Sequence, residues 1–344
     1  MAYYDGLFDA LGLREWCDAG KSTGPMTMSE LLKQTKGGAE ESVSIADIPF
    51  PSLDNLHAAC HAIPRTRDMT NGVANAFLDV KDALKVVLDP LTQPLSWALD
   101  GSLYIFQAIP WFILIPLFIL AVWFATRNVA MLWLVGLSMA FLALIDHYSY
   151  SVQTLSIIFV CTILCVVLGV PIGIAMSRSS ALRRARIPVL DMLQTLPTFV
   201  YLIPLIFLFS VTESKLYGIA IILYAIVPVI RLTDLGIRLV DKDVIEAADA
   251  FGMTSRQKLF GVQIPLAMPN IMAGVNQTIM MSLAMVVIAS LVSAPGLGVL
   301  VLRGIRNLEL GVGLISGFCI VLLAILLDRV SKAALQRVNS AQTH

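Results

Sequence analysis

Long apolar runs alternate with short polar segments over the last two thirds of the chain. About 20 apolar residues in a row are enough to cross the hydrocarbon core of a bilayer as a helix. Seven stretches approach or exceed this length, and each predicts a membrane-spanning helix: residues 109–126, 129–145, 151–176, 189–210, 216–232, 267–292 and 311–327. The pattern therefore predicts an all-α polytopic membrane protein with about seven transmembrane helices.

The first 108 residues are more polar and contain one predicted amphipathic helix. Between Asn71 and Leu88, apolar residues recur at three- and four-residue spacing, which is the period of a helix with one apolar face. They are Val73, Phe77, Val80, Leu84, Val87 and Leu88. Two interpretations of this face are open: it lies on the membrane surface, or it packs against the protein itself.

The composition supports a membrane location. Charged residues make up 14% of the 344-residue chain and the mean hydropathy is +0.80, whereas soluble proteins contain about 25% charged residues. The net charge is zero, but residues 1–108 carry more acidic than basic side chains and residues 109–344 the reverse. This asymmetry bears on membrane topology, and no nucleic-acid partner is expected.

Lysine and arginine predict the orientation. Basic residues cluster after the third and fifth predicted spans and in the C-terminal tail, which lie on one side of the membrane if seven helices cross. The positive-inside rule places this side in the cytoplasm. The N-terminus is then expected outside and the C-terminus inside.

A polar segment, EAADAFGMTSRQKLFGVQIP (246–265), separates the fifth and sixth apolar runs. Asp243, followed three residues later by Glu246, matches a helix N-cap with a reciprocal acidic residue. Phe251 contributes to a short apolar face, and Gly252 lies where a helix would end in a left-handed turn.

A second short helix is expected to follow. Thr254 or Ser255 can cap it, and Pro265 is expected to close it. A solvated connector between two spans needs neither caps nor apolar faces. We therefore expect this hairpin to dock a partner at the cytoplasmic surface.

The spacing in the hairpin resembles the EAA loop of ABC-importer permeases. In that loop Glu-Ala-Ala is followed by three residues, Gly, nine residues and Ile-x-Leu-Pro. Here Glu246-Ala247-Ala248 is followed after three residues by Gly252 and after nine more by Val262-Gln263-Ile264-Pro265. The two departures, Ile to Val and Leu to Ile, are conservative. Residues 190–209, 231–238, 263–290 and 302–305 are also similar to permeases of proline/glycine betaine-type importers.

The resemblance implies a domain organisation. An ABC type-1 permease domain is expected over residues 147–330, with the coupling loop at 241–265. Residues 109–146 then form two accessory transmembrane helices, and residues 331–344 a cytoplasmic tail. Residues 1–108 form an acidic extramembrane N-terminal tail.

The resemblance also implies function and partners. The chain is expected to be a non-enzymatic permease subunit of the bacterial inner membrane that works as a homodimer. It binds no cofactor or metal itself, because ATP and Mg²⁺ bind to a separate cytoplasmic ATPase dimer. A periplasmic or membrane-tethered binding protein delivers the solute. Glycine betaine, proline betaine, choline, carnitine and trimethylamine N-oxide are the candidate solutes.

Residue roles in the coupling loop follow from the same resemblance. Glu246 is expected to supply charge and helix capping in a groove of the ATPase, and Ala247 and Ala248 to allow its close approach. Gly252 is expected to make the turn, so Gly252→Asp is expected to be the most damaging single change.

Polar residues and a turn mark a candidate path. Gln194, Asn276 and Gln277 fall in predicted spans, where polar side chains usually face the bundle interior. The family's glycine pair before Gly-Leu-Gly is altered, since this chain reads Ser293-Ala294-Pro295-Gly296-Leu297-Gly298. Pro295, Gly296 and Gly298 are expected to form an external gate turn. A secondary transporter is the alternative, and it would need mid-membrane charges or an internal repeat, which are not evident.

The cysteines and three charged residues near helix ends are expected to have structural roles. Cys17 and Cys60 can pair if the tail is outside, although nothing in the sequence requires it. Cys161, Cys165 and Cys319 lie in apolar runs and are expected to be buried. Asp191, Arg231 and Asp234 lie near helix ends, which favours interfacial ion pairs over a proton relay.

Overall fold

Helices form all the regular structure that the computed structural model describes, which comprises residues 66–342, Tyr4, Phe8, residues 10–18 and Cys60. This confirms the predicted all-α class. Contacts divide the chain into two units, Met1–Asp82 and Ala83–His344.

The first unit contains a short helix, α1 (Arg14–Asp18), and a disulfide. Cys17 and Cys60 are bonded across 43 residues of sequence and are buried beside Phe8. The pairing that the sequence left open is therefore formed in the structure.

The amphipathic helix is confirmed, and it is much longer than predicted. It runs as α2 from Thr66 to Ala108 and contains Pro90 and Pro94. Val73, Val80 and Val87 on its apolar positions are each more than half exposed. Residues 83–108 of this helix belong to the second unit.

The second unit contains the remaining helices. These are α3 (Trp111–Thr126), α4 (Val129–Leu144), α5 (Tyr148–Arg178), α6 (Ser180–Thr195), α7 (Leu202–Leu208), α8 (Ser214–Arg238), α9 (Lys242–Ala250), α10 (Ser255–Lys258), α11 (Ile264–Ala289), α12 (Leu297–Asn307) and α13 (Leu310–Gln342). Short 3₁₀ turns occupy Thr198–Tyr201 and Ser290–Val292, and a π-helical turn occupies Leu259–Gln263.

The predicted span at 189–210 is not one straight helix. The chain instead bends by 106° between α6 and the segment containing α7. Leu196 and Pro197 are both extended, with ψ of 134° and 132°. Proline disfavours helical backbone in the residue before it, and this ends α6. The short helix α7 then continues beyond a 3₁₀ turn.

Four helical stretches among the described residues are long and apolar enough to cross a membrane, or six if each of two bent pairs is one span. The predicted helices at 109–126 and 129–145 form as α3 and α4, which have 16 residues each. Each is about 24 Å long, which is shorter than a hydrocarbon core of about 30 Å. The count of seven crossings stays a prediction.

Close backbone approach holds the centre of the second unit together. A Cβ added at Gly173 of α5 would lie 2.7 Å from the Ile230 carbonyl oxygen of α8. One added at Gly274 of α11 would lie 3.0 Å from Cα of Val229. Small residues let helices pack at this distance inside a membrane. Helix α8 is thus packed between α5 and α11.

Candidate functional site

The first helix of the hairpin begins at an earlier N-cap residue than predicted. Helix α9 is capped by Asp241, whose Oδ1 accepts a hydrogen bond from the Asp243 amide at 3.0 Å. The predicted pairing of Asp243 with Glu246 is therefore wrong, because Asp243 lies inside the first turn. There its negative charge still favours the helix N-terminus.

The end of α9 has the predicted left-handed turn. Gly252 has φ of +73°. Its amide donates to the Asp249 carbonyl at 2.9 Å, and the Met253 amide donates to the Ala248 carbonyl at 3.1 Å. This pair of bonds is the Schellman arrangement, in which glycine is favoured at the left-handed position.

Thr254 is the cap of the second helix. Its side chain and that of Gln257 bond each other's backbone amides in a reciprocal capping box. Helix α10 does not close at Pro265, contrary to prediction. A π-helical turn joins α10 to α11, and Pro265 lies in the first turn of α11, where proline's missing N–H is tolerated.

Side chains attach this hairpin to the end of the bundle. The Arg178 guanidinium at the end of α5 donates to the Ser255 carbonyl at 2.8 Å. Lys258 forms an ion pair with Asp249, which ties the two arms together. Ala248 and Leu259 are buried beneath them. Ala248 therefore packs within the chain, whereas Ala247 is exposed.

The outer surface of the hairpin is apolar and exposed. Phe251 is 88% exposed and Phe260 is 67% exposed. Glu246 and Gly252 are exposed on the same short segment, and a Cβ at Gly252 would meet nothing within 4 Å. Two exposed phenylalanines on a rigid, capped hairpin are typical of a surface that a partner covers.

A buried carboxylate organises the helix ends beside the hairpin. Asp234 of α8 accepts from Arg183 at 3.0 Å and from Arg238 at 2.8 Å, and its side chain is 7% exposed. Asp191 and Arg231 form a second, more exposed pair. Asp191, Arg231 and Asp234 thus form ion pairs, as predicted.

The three candidate path residues have different surroundings. Gln194 of α6 is half-buried and contacts the Met281 sulfur of α11 at 3.8 Å. Gln277 is exposed and lies one helical turn before Met281. Asn276 instead donates to Asp328 of α13 at 3.1 Å and accepts from Ser331. The described contacts connect Gln194 with α11, and Asn276 with α13.

The candidate gate turn is packed against α5. Gly296 has φ of +118°, and a Cβ there would lie 2.4 Å from the Thr154 hydroxyl oxygen. That oxygen accepts the Leu297 amide at 2.9 Å. Ser293 stands in the left-handed region with φ of 71°. The turn is therefore specified by backbone geometry as well as by the ring of Pro295.

Helix α12, which follows this turn, was missed by sequence reasoning. Its polar end carries Arg303, which pairs with Glu309 at 3.2 Å. The hydrogen bond from Asn307, and then the charge of Arg303, lower the pKa of Glu309. Its short amphipathic pattern, with basic residues three apart, was the available signal.

No group of three or more His, Cys, Asp or Glu side chains that could hold a metal ion occurs among the described residues. The three free cysteines Cys161, Cys165 and Cys319 are buried, as predicted. The described part of the chain thus presents an apolar helical bundle with a capped hairpin, α9–α10, that exposes Phe251 and Phe260.

This arrangement is that of a transporter's membrane subunit. Residues 165–340 match the family described as binding-protein-dependent transport system inner membrane component, and the chain belongs to this family. It is therefore a multi-pass permease component of an ABC importer. This family membership disfavours the secondary-transporter alternative.

Curated relatives and a solved structure agree with this assignment. The chain is 38% identical over 307 residues to the glycine betaine/proline betaine transport system permease protein ProW of Escherichia coli, covering 87% of this chain and 83% of ProW. It is 46% identical over 217 residues to the glycine betaine transport system permease protein OpuAB of Bacillus subtilis, covering 62% and 74%. An inward-facing MetNI methionine ABC transporter structure aligns with a TM-score of 0.51 at 19% identity, over 56% of this chain and 95% of that chain, which supports the fold alone.

Proposed function

We propose that the chain imports a small zwitterionic or quaternary ammonium solute as one half of a permease homodimer. A separate ATPase dimer binds ATP and Mg²⁺, and a solute-binding protein delivers the solute from outside. The names of the relatives, which are glycine betaine and proline betaine permeases, support this solute class. The permease contributes binding and conformational change, and bond chemistry takes place on the ATPase.

The exposed hairpin is the observation that carries this proposal. Phe251 is exposed beside the capped turn at Gly252, Lys258 ties the two arms of the hairpin together, and Arg178 attaches the hairpin to α5. Force on the Phe251 surface is thus transmitted to α11, because α10 continues into α11 without a break. ATP-driven closure of the ATPase would move α11 and, through it, the path.

Helices α6 and α11 are proposed to form part of that path. Gln194 and Gln277 flank Met281 and offer amide groups to a solute carboxylate. Asn276 is assigned a supporting role, because its bonds to Asp328 and Ser331 hold α11 against α13. Pro295, Gly296 and Gly298 are proposed as the outer gate, whose opening requires loss of the Thr154 bond.

The tail is proposed to lie outside the cell and the C-terminus inside. The disulfide between Cys17 and Cys60 supports this orientation, since such bonds persist mainly in oxidising compartments. Reaction of engineered surface cysteines with an impermeant maleimide in intact cells tests it. Labelling at position 16 without lysis, and at position 256 only after lysis, is the expected result.

Uptake measurements test the function. Radiolabelled glycine betaine should accumulate in cells that carry this chain with its ATPase and binding protein and that lack other uptake systems. ATP depletion should abolish uptake, whereas an uncoupler added with ATP maintained should not. Gln194→Leu should raise KM by about tenfold, corresponding to one lost hydrogen bond of about 1.4 kcal/mol. Uptake driven by an ion gradient without the ATPase would contradict the proposal.

A further inference from the structure

A cavity of about 750 Å³ opens between the start of α3, the end of α4 and the start of α5. Its wall includes Trp111 and Phe112 of α3, Asp146 of the α4–α5 turn, and Tyr148 of α5. All its lining residues lie between 111 and 149, upstream of the matched segment at 165–340. The cavity is thus built by α3, the end of α4 and the start of α5, and none of the proposed path residues lines it.

Aromatic rings form one side of this cavity. The rings of Trp111 and Phe112 lie edge to face, with centroids 6.1 Å apart. Both side chains remain exposed, at 59% and 60%. The face of an aromatic ring carries negative potential and attracts organic cations, with tryptophan the strongest.

A carboxylate supplies negative charge at the rim. Asp146 has φ of 59°, a conformation that aspartate tolerates better than most residues. The turn is fixed by bonds from the Asp146 amide to the Ala143 carbonyl at 3.2 Å and from the His147 amide to the Leu142 carbonyl at 3.0 Å. No described residue forms an ion pair with Asp146, and the cavity is lined by no lysine or arginine.

The aromatic rings and the carboxylate together define the chemistry of a ligand. The Tyr148 side chain also lines the wall, but its hydroxyl oxygen is buried and out of reach of a ligand in the open cavity. The ring faces of Trp111 and Phe112 and the Asp146 carboxylate are the groups that suit an organic cation.

We propose that this cavity binds an organic ammonium group. Two sources present that chemistry: the headgroup of an ethanolamine or choline lipid in the surrounding bilayer, and a soluble quaternary ammonium ion. The site does not depend on the proposed transport function, because binding to the isolated permease needs neither the ATPase nor the binding protein.

Choline chloride is the probe. The full chain is placed in nanodiscs of phosphatidylglycerol alone, and tryptophan fluorescence is followed as choline is added. A saturable change is expected. The uncharged isostere 3,3-dimethyl-1-butanol should give at least tenfold weaker binding, because only the charge differs. Nanodiscs that also contain phosphatidylethanolamine distinguish the sources: weaker apparent choline binding there identifies the lipid headgroup, and unchanged binding identifies the soluble ion.

Two variants and one control make the test specific. Asp146→Asn should weaken choline binding about tenfold while preserving the turn, since asparagine also tolerates this backbone conformation. Trp111→Leu should weaken it several-fold. The control Asp79→Asn removes an exposed carboxylate of α2, away from the cavity, and should leave choline binding unchanged. Equal binding of choline and its isostere, or no choline binding at all, would overturn the proposal. So would binding that survives Asp146→Asn but is lost in Gln194→Leu, because that cation would occupy the path.

Discussion

At the scale of single residues, the two groups of ion pairs near the hairpin differ in how deeply their carboxylates are buried. Asp234 is 7% exposed and holds two arginines, whereas Asp191 is 52% exposed and holds one. Exposed pairs contribute about 0–1 kcal/mol, while removing one member of a buried network leaves uncompensated charge.

Asp234→Asn is therefore expected to destabilise the protein more than Asp191→Asn. We expect Asp234→Asn to lower the free energy of unfolding by about 2 kcal/mol. This is less than the cost of breaking a fully buried ion pair, because both arginines are partly exposed. Asp191→Asn should cost less than about 1 kcal/mol. Thermal unfolding of the detergent-solubilised chain measures both, and equal Tm values for the two variants would contradict the assignment.

At the scale of elements, glycines in spanning helices differ according to what they face. A Cβ at Gly173 would collide with the α8 backbone, whereas one at Gly317 of α13 meets nothing within 4 Å. Alanine is a better helix former than glycine by about 1 kcal/mol, but overpacking costs about 1–3 kcal/mol.

The same substitution should therefore have opposite signs at the two positions. Gly173→Ala should lower the Tm, because α5 and α8 must separate, and Gly317→Ala should leave it unchanged or raise it. Unfolding of the two purified variants in one detergent checks this. A Gly173→Ala protein as stable as the parent would contradict the close packing of α5 on α8.

A second element-scale feature is the attachment of α2 to α8. Lys215 is 3% exposed and pairs with Asp89 of α2 at 2.8 Å and with Glu213 at 3.2 Å. Its ammonium also lies 5.3 Å from the centroid of the Phe209 ring. Leu99 of α2 is fully buried, and a Cβ at Gly218 of α8 would lie 2.6 Å from it.

Lys215→Met should loosen this attachment. The methionine keeps the apolar stem but removes the charge that holds Asp89. A cysteine placed at Leu99 should then react with maleimide about tenfold faster, which corresponds to about 1.4 kcal/mol of easier local opening. Lys85→Met, which removes an exposed lysine of α2, is the control. Equal rates in both backgrounds would show that the ion pair does not hold α2.

The sequence predicted elements better than their ends. Apolar runs located α5, α8, α11 and α13, and Gly252 and Thr254 marked the hairpin turn correctly, because turn and cap chemistry is local. Pro197 marked a break in the span at 189–210, but the size of the bend could not be predicted, since an apolar run gives no sign of direction. The cap at Asp241 was also missed, because Asp241 and Asp243 offer the same side chain to the helix start.

Contacts between distant segments were beyond prediction from one sequence. The attachment of Arg178 to Ser255 joins residues 77 apart, and the Thr154 bond to Leu297 joins residues 143 apart. Neither contact has a local pattern. The same reason explains why Asn276 was placed in the path, although its amide is occupied by α13.

At the scale of the whole molecule, the central claim is that the exposed hairpin couples the membrane helices to an ATPase. Substitution of Gly252 tests this claim directly. A side chain there meets open space within the chain and costs only about 1 kcal/mol of backbone strain. Any large effect of substitution must therefore come from a partner.

The most direct measurement is co-purification of the ATPase with the tagged permease from its native membrane. We compare the parent protein with Gly252→Asp and with a control, Gly311→Asp, at equal amounts of permease. Gly311 is an exposed glycine of α13 with open space around it. We predict that Gly252→Asp co-purifies with about tenfold less ATPase activity than the parent, which corresponds to about 1.4 kcal/mol of binding free energy. Its Tm should stay close to that of the parent. Gly311→Asp should retain the ATPase. Full retention by Gly252→Asp, or no ATPase with the parent, would contradict the account.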